Sequence, residues 1–428
     1  MSYAKVCYNI NMRKNREKTK RIGIDARFYG PIGKGLGRYT KEVVDKAVAL
    51  DRENKYIVFL SKENFNEFIS DNQKVKNVLA DVHWYTLAEQ IIMPWLIWRE
   101  HLDLMHFSHF NVPVLMPVKF VVTIHDLILT KFPTIRATTL SPLFYKIKDR
   151  IYRIVIWLAV KRARAVIAVS QFTKDDIVRQ FKIKPDKVVV TYEGVSSLLN
   201  KSRPFQPGIK PRRKNLFNTY LSPQRATGYS GKVRDSHDKE TLLGYNIGSP
   251  FLLYVGNAYP HKNLEGLVKV FSVIHKKRSG LSLILVGEQD YFYKRVRELT
   301  KKYWSEDSPV IFPGFVPDEN LAFLYNHALA YVFPSFYEGF GLPPLEAMAG
   351  GCPVVSSNKS SLPEILGQAA IYFNPEDKEE MMKQIEKVIE DENLRQELIK
   401  RGYEQIKKYS WEKCAKETLE VYRKVLEN

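Results

Sequence analysis

FLLYVGNAYPHKNLEGLVKVFSVIHKKRSGLSLILVG, residues 251–287, reads as a strand, a turn, a helix and a second strand. The runs FLLYVGN (251–257) and LSLILVG (281–287) are almost continuously apolar, where a strand with one wet face would alternate. Between them NLEGLVKVFSVIHKK carries a helical pattern. Strands of this kind separated by helices belong to a parallel sheet covered on both faces. The pattern continues through PVIFPGF (309–315), LAYVFPS (329–335), a helix opening near Leu342, and CPVVSS (352–357).

The first half follows the same logic. RIGIDARF (21–28) reads as a strand, LGRYTKEVVDKAVAL (36–50) as a helix and YIVFL (56–60) as a strand. Further strand-like runs are LMHF (104–107), KFVVTIHD (119–126), AVIAVS (165–170) and KVVVTYEG (187–194). The expected architecture is α/β, with two Rossmann-like doubly wound domains in tandem facing a cleft. In such sheets ligands bind beyond the carboxyl ends of the strands, which makes that cleft the natural site.

Residues 200–248 are rich in Pro, Gly, Ser and Arg and show no sustained periodicity. They are expected to be a basic linker or insertion. The division is therefore a basic extension (1–20), an N-terminal Rossmann-like domain (21–199), the linker, a C-terminal Rossmann-like domain (249–410) and a final helix (411–428). That helix, SWEKCAKETLEVYRKVLEN, suits packing on either domain, including a return to the N-terminal one.

The chain has 428 residues, 45% of them hydrophobic and 12% aromatic, enough for two buried cores and incompatible with wholesale disorder. Cys7, Cys352 and Cys414 lie far apart without a C-x-x-C pair, which argues against a disulfide scaffold or zinc framework. The first twenty residues contain no apolar stretch like a signal peptide, and no apolar run reaches the ~18–20 residues that span a bilayer. A cytoplasmic protein is expected, peripheral on the inner membrane face if it meets lipid at all.

The net charge of +19 is uneven: residues 1–199 carry +14, residues 200–248 carry +7 and residues 249–428 carry −2. A basic half fits nucleic acid, anionic lipid or a phosphorylated substrate, and charge alone does not choose. Nucleic acid is disfavoured because aromatics are not interleaved with the basic runs as a base-stacking platform requires. The segment SPLFYKIKDRIYRIVIWLAVKRAR (141–164) repeats Leu143, Ile147, Ile151, Ile154 and Leu158 at helical spacing among Lys and Arg. It is either a core-packing helix with a solvated rim or a surface for anionic membranes.

Five motifs carry candidate chemistry. In PSFYEGFGLPPLEAMAGG (334–351), Glu338 and Glu346 flank a strand-to-helix junction holding Gly339, Phe340 and Gly341. Glycines admit a ligand close to the backbone, and fresh helix N–H groups favour anions and hydroxyls. Glu338 can accept from sugar hydroxyls and Glu346 from a vicinal diol; both can equally be helix-start glutamates favoured by the dipole. VGNAYPHKNLEGL (255–267) ends a strand and places Lys262 at a helix start, where a cation suits a diphosphate, although a lone lysine is more often solvated. GPIGKGLGRYTKE (30–42) has Gly33, Gly35 and Gly37 in the manner of a dinucleotide loop. A nicotinamide enzyme is disfavoured, because the next strand ends in Leu60–Ser61 without the acidic residue an adenosine ribose needs. TIHDLI (123–128) sets His125 and Asp126 at a strand end. Asp318, in FPGFVPDENLAFLY, is an N-cap or a ligand contact.

In this order the elements resemble the family-four retaining glycosyltransferases, which have the two-domain GT-B architecture. The specific residues are Glu338 and Glu346 as E-x7-E, Lys262 in PHKNLEGL, SQFTKDDI (170–177) and the closing SWEKCAKETLEVY. The resemblance implies a hexosyltransferase with no cofactor beyond its nucleotide-sugar substrate and no metal, with residues 21–199 as the acceptor-side domain and residues 249–410 as the nucleotide-sugar-binding domain. Lys262 would hold the diphosphate, Glu338 the donor sugar with Phe340 and Gly341 backbone N–H groups assisting, and Glu346 the ribose. Val316 and Asp318 fall where the family contacts the base, Gly35 and Gly37 would let a loop close over the phosphates, and His125 would lie near the transferred sugar. One departure stands out: the family commonly has Arg after the VG that ends this strand, and here that residue is Asn257. The HKN form of the motif looks like bacterial mannosyltransferases of surface polysaccharide assembly. GDP-mannose is thus the expected donor, and a glycan or lipid-linked molecule the acceptor. The rivals are a sugar-nucleotide epimerase on the same plan and a non-enzymatic nucleic-acid-binding protein.

Overall fold

The computed structural model describes residues 19–31, 34–132, 142–195, 250–304 and 307–428. Gly33, residues 1–18 of the proposed extension and the whole 200–248 linker lie outside the described residues.

The N-terminal half contains β1 (Arg21–Asp25), α1 (Lys34–Leu50), β2 (Lys55–Leu60), β3 (Val75–Leu79), α2 (Leu87–Arg99), β4 (Leu104–Phe107), β5 (Phe120–Ile124), α3 (Ile128–Lys131), α4 (Pro142–Arg162), β6 (Ala165–Ala168), α5 (Gln171–Phe181) and β7 (Val188–Val190). The C-terminal half contains β8 (Phe251–Val255), α6 (Leu264–Lys277), β9 (Ser282–Val286), α7 (Tyr291–Thr300), β10 (Val310–Gly314), α8 (Asp318–His327), β11 (Ala330–Phe333), α9 (Leu342–Ala349), β12 (Val354–Ser357), α10 (Leu362–Leu366), β13 (Ala370–Phe373), α11 (Lys378–Glu390), α12 (Glu392–Ile406) and α13 (Trp411–Glu427).

The strands form a seven-stranded sheet ordered β3-β2-β1-β4-β5-β6-β7 and a six-stranded sheet ordered β10-β9-β8-β11-β12-β13. Every pairing is parallel. Both sheets reverse direction of winding at one point, between β1 and β4 and between β8 and β11, the kind of place where open α/β sheets bind their ligands. The apolar strands are explained by burial on both faces. Along β2, Tyr56, Val58 and Leu60 pack on one side while Ile57 and Phe59 pack on the other.

The last helix leaves the C-terminal half and crosses to the other. Ser410 caps it, its Oγ accepting from Lys413 N at 3.1 Å. Trp411 and Cys414 pack in the C-terminal core, whereas Val421, Tyr422 and Val425 join Ile22, Val44 and Val58 of the N-terminal core. Three buried side chains at roughly 1.5–3 kcal/mol each anchor its far end. Tyr422 Oη also lies 2.5 Å from His106 Nδ1, and His106 Nε2 lies 2.8 Å from Thr123 Oγ1.

His106 is fully buried, and burial lowers its pKa to about 3, with the charge of His125 adding to the effect. The unfolded chain therefore binds a proton below about pH 6.5 that the folded chain refuses, so stability is present above that pH and lost on acidification. The expected contribution is a loss of about 2 kcal/mol between pH 7 and 5. Urea unfolding of the wild type against His106→Gln checks it: the mutant should show a shallower loss, and parallel curves would contradict the assignment.

Among the described residues no helix is long and apolar enough to cross a membrane.

Candidate active site at the domain cleft

The loops after β8 and β11 meet at the reversal point of the C-terminal sheet. Phe336 N donates to His261 O at 2.7 Å and locks the two loops together. Above that contact, Lys262 Nζ donates to Glu338 Oε1 at 2.6 Å, and the ammonium stands 5.4 Å from the centre of the Phe333 ring. Both side chains are largely withdrawn from water. Hydroxyls hold the Glu338 loop: Ser360 Oγ accepts from Glu338 N at 2.8 Å, and Ser361 Oγ donates to Glu338 O and Phe340 O. Gly341 opens α9 at φ +100°, a conformation that strains any residue with a Cβ.

Glu346 lies buried in α9, and burial raises its carboxyl pKa against the opposing pull of Arg38. Arg38 reaches across from α1 to pair with Glu346 and sits 3.4 Å from Asp318 Oδ2. One guanidinium from the N-terminal domain thus bridges two carboxylates of the C-terminal domain.

On the opposite wall His125 follows β5. Its Nδ1 lies 3.2 Å from Glu193 Oε1 and its Nε2 lies 3.0 Å from Ser108 O, while the edge of Tyr39 packs at 4.5 Å between ring centres. Two acceptors and one ring edge fix the imidazole plane. Burial raises the pKa of the neighbouring Asp126 carboxyl; the Ile128 N–H and His125 counteract it, and Glu338 and Lys262 also act on it. The His125–Asp126 turn is therefore within electrostatic reach of the Lys262–Glu338 pair.

The walls touch at Gly339. A Cβ built there would stand 1.8 Å from His125 O and 3.0 Å from the Asp126 Cβ. Gly339 O accepts from Ser170 Oγ at 2.6 Å and from Thr173 Oγ1 at 3.1 Å. At the start of α5, Glu364 accepts the N–H groups of Gln171 and Phe172 at 2.7 and 2.9 Å, so one domain caps a helix of the other. Tyr337 Oη donates to Asp176 Oδ2 at 2.6 Å.

The structure brings His125, Lys262, Glu338 and Gly339 to one place, and Glu346 and Asp318 to another linked by Arg38. Asn257 puts an amide where an Arg was expected: its backbone carbonyl accepts from Tyr254 Oη at 2.7 Å, and its side-chain Oδ1 lies 3.4 Å from Tyr259 N. Val316 and Phe340 are buried, Phe340 among Tyr192 and Tyr409. Two expectations change. Gly35 and Gly37 lie in the first turns of α1, not in a closing loop, and Gly37 is needed because a Cβ would meet Gly30 O at 2.1 Å. Asp318 is not an N-cap: Pro317 holds that position without a side-chain hydrogen bond, and Asp318 faces Arg38 from the first turn.

Sequence reasoning missed Arg38, Glu193 and Glu364, and it marked SQFTKDDI as a family motif without giving Ser170 or Thr173 a role. Glu193 stood in TYEG, read as strand although β7 stops at Val190. The signal available was a carboxylate just beyond a strand end. Also missed is an aromatic wall beside His125. Phe28 stacks on Trp84 at 4.3 Å, and His109 lies 5.4 Å from Phe28 and 6.3 Å from Tyr85. Trp84 Nε1 and His109 Nδ1 are buried with no hydrogen-bond partner among the described residues.

Two doubly wound parallel sheets facing each other over an E-x7-E motif and an upstream lysine have the layout of a GT-B glycosyltransferase. Comparison with known proteins agrees. Residues 34–197 match the family described as Glycosyltransferase Family 4, and residues 242–405 match Glycosyl transferases group 1. The chain is 30% identical over 412 residues to the O-antigen chain mannosyltransferase B of Escherichia coli, covering 91% of this chain and 96% of that one. Its fold is similar to a sucrose-phosphate synthase from Thermosynechococcus elongatus (TM-score 0.69, 20% identity, 95% of this chain and 98% of that one). It is also similar to WaaG, a glycosyltransferase involved in lipopolysaccharide biosynthesis (TM-score 0.66, 15% identity, 94% and 99%). The chain belongs to the family-4 glycosyltransferases of GT-B architecture and is similar to bacterial mannosyltransferases.

Proposed function

We propose that this protein transfers mannose from GDP-mannose to a glycan or lipid-linked acceptor in surface polysaccharide assembly, with retention at the anomeric carbon and without a metal. The observation that carries the reading is the Lys262–Glu338 pair at the strand reversal, faced by His125 and Asp126 across the gap. The mannose and the polysaccharide rest on the HKN motif and on the O-antigen mannosyltransferase relative.

Cleavage of the sugar–phosphate bond builds positive charge at the anomeric carbon and negative charge on the departing diphosphate. Lys262 is a fixed cation for the second, stabilising it as it grows. Glu338 accepts from donor hydroxyls, and its Lys262 partner orients it. The acceptor hydroxyl attacks from the leaving-group face, and the departing phosphate takes its proton. His125, oriented by Glu193 and Ser108 O, positions the transferred sugar. The Phe28–Trp84 wall offers an apolar ring face to an acceptor sugar. Contact between the domains at Gly339 excludes water, which limits donor hydrolysis.

Glu346 is the ribose acceptor, so donor entry displaces Arg38 from it. The freed guanidinium is a cation for the diphosphate where Asn257 offers none. In Arg38→Ala, the preference for GDP over guanosine should fall about tenfold by calorimetry. An unchanged ratio would remove Arg38 from phosphate binding.

A thermal-shift panel of GDP-, UDP-, dTDP- and ADP-sugars tests the donor, since selective binding to the folded state raises its melting point. GDP-mannose should give the largest shift, and radiolabelled mannose should then appear in glycan. A larger shift with another nucleotide would overturn the donor. Interconversion of sugar nucleotides without acceptor would support an epimerase.

A further inference from the structure

We infer that the Phe28–Trp84–Tyr85–His109 cluster takes a neutral pyranose unit of the acceptor, and that Glu89, buried behind it, is the positioning residue of that subsite. The inference rests on the glycosyltransferase reading and deepens it, making a sugar ring rather than a lipid the group this wall recognises.

Glu89 lies in the first turn of α2, yet its carboxylate turns inward and is fully buried. Its Oε1 accepts from Arg27 at 2.6 Å and from Asn111 Nδ2 at 2.7 Å. Its Oε2 accepts from the same Asn111 amide at 2.7 Å and from Tyr85 N at 2.8 Å. Arg27 is held from its other side by Asp25 Oδ2 at 2.7 Å and donates to Val82 O at 3.2 Å. One carboxylate therefore ties together the end of β1, the segment entering α2 and the segment leaving β4. The middle segment needs the tie. Tyr85 stands at φ +62°, in the left-handed region that a bulky side chain avoids. Capping α2 does not require this network, because Thr86 Oγ1 already accepts from Glu89 N at 3.2 Å. A strained residue held by a buried charge network marks a place where the aim of neighbouring side chains matters.

The network aims four rings. Phe28, Trp84 and His109 are half-buried and Tyr85 is 56% exposed, so the cluster reaches solvent. The segment leaving β4 joins it to the reaction site: Ser108 O lies 3.0 Å from His125 Nε2, His109 follows, and Asn111 holds Glu89. Burial lowers the His109 pKa to about 3, with His125 and Arg27 adding to the effect, so the imidazole is neutral. Burial raises the Tyr85 phenol, with Glu89 and Asp126 contributing, so it too is uncharged. The surface is thus made of neutral rings, and two of their nitrogens, Trp84 Nε1 and His109 Nδ1, have no partner among the described residues. A pyranose matches this chemistry. Its C–H face stacks on rings, and its hydroxyls supply partners to the indole and imidazole nitrogens. An acyl chain would leave both nitrogens unpaired. A phosphate would find Arg27 already engaged by two carboxylates.

The test is a tryptophan-fluorescence titration of the full chain with α-mannotriose and, separately, with farnesyl phosphate, in the absence of nucleotide. Mannotriose should change the emission of the wild type, farnesyl phosphate should not, and Trp84→Leu should abolish the response. Tyr85→Gly keeps the left-handed backbone without strain, so it should melt close to wild type and bind mannotriose about tenfold more weakly. Glu89→Gln sets an amide N–H against the donors of Arg27 or Tyr85, and should weaken binding about tenfold. In turnover with GDP-mannose that variant should raise the KM for mannotriose by the same factor, with kcat and the melting shift by GDP-mannose near wild type. The inference is overturned by a wild type that ignores mannotriose, by a farnesyl phosphate response that Trp84→Leu removes, or by wild-type binding in Tyr85→Gly. A fall of kcat at unchanged KM in Glu89→Gln would equally overturn the positioning role. Because the titration contains no nucleotide, its result is separate from that of the donor panel.

Discussion

Lys262→Ala lowers glycosyl transfer by roughly 10²–10³-fold while the two domains remain folded. The ammonium is the charge placed where the leaving diphosphate develops its own, and water that fills the gap must reorganise during the reaction whereas a fixed cation does not. A structural objection has to be met, because Lys262 and Glu338 pair at 2.6 Å and removing one leaves the other partly buried and unpaired. Glu338→Ala should be equally inactive. The double variant Lys262→Ala, Glu338→Ala separates the roles. It removes both charges together, so it should recover melting temperature relative to either single variant and recover no activity. Turnover near wild type in either single variant, or activity that tracks melting temperature across all three, would show that the pair only holds two loops together.

Gly339→Ala is expected to be as damaging by a different route. The added carbon would lie 1.8 Å from a backbone oxygen, His125 O, which cannot swing aside like a side chain. The junction made by Ser170, Thr173 and Gly339 O must then part. A displacement of about an ångström between reacting groups costs on the order of 10²-fold in rate. Turnover should fall by that factor and the radius of gyration should rise, while affinity for guanosine, whose proposed contacts all lie in the C-terminal half, changes little. Full turnover with unchanged small-angle scattering would mean that the junction is not the working arrangement.

Much of the architecture was legible because a parallel sheet writes itself as continuous apolar runs. LMHF and YIVFL need no partner to be recognised. The edge strand β3 was not legible: in VKNVL only Val78 is buried, so its pattern is that of a surface segment. Helix α2 was hidden for the opposite reason, being apolar on both faces with Pro94 inside. Within the site, Lys262, Glu338 and Glu346 were visible from their spacing within the C-terminal half. Arg38 was not, since its partner lies 308 positions away and GLGRYT alone shows only a helix start. Glu364 capping α5 at a separation of 193 is the same kind of case. Contacts between domains are set by how two finished folds meet, and local periodicity carries no record of that.

The most direct measurement is an experimental structure with GDP-mannose bound. It should show the diphosphate within about 3 Å of Lys262 Nζ. The hexose hydroxyls should lie on Glu338, and the ribose on Glu346 with Arg38 turned away from it. A nucleotide bound elsewhere, or bound in the cleft with Lys262 still paired to Glu338 and touching no phosphate, would contradict the account.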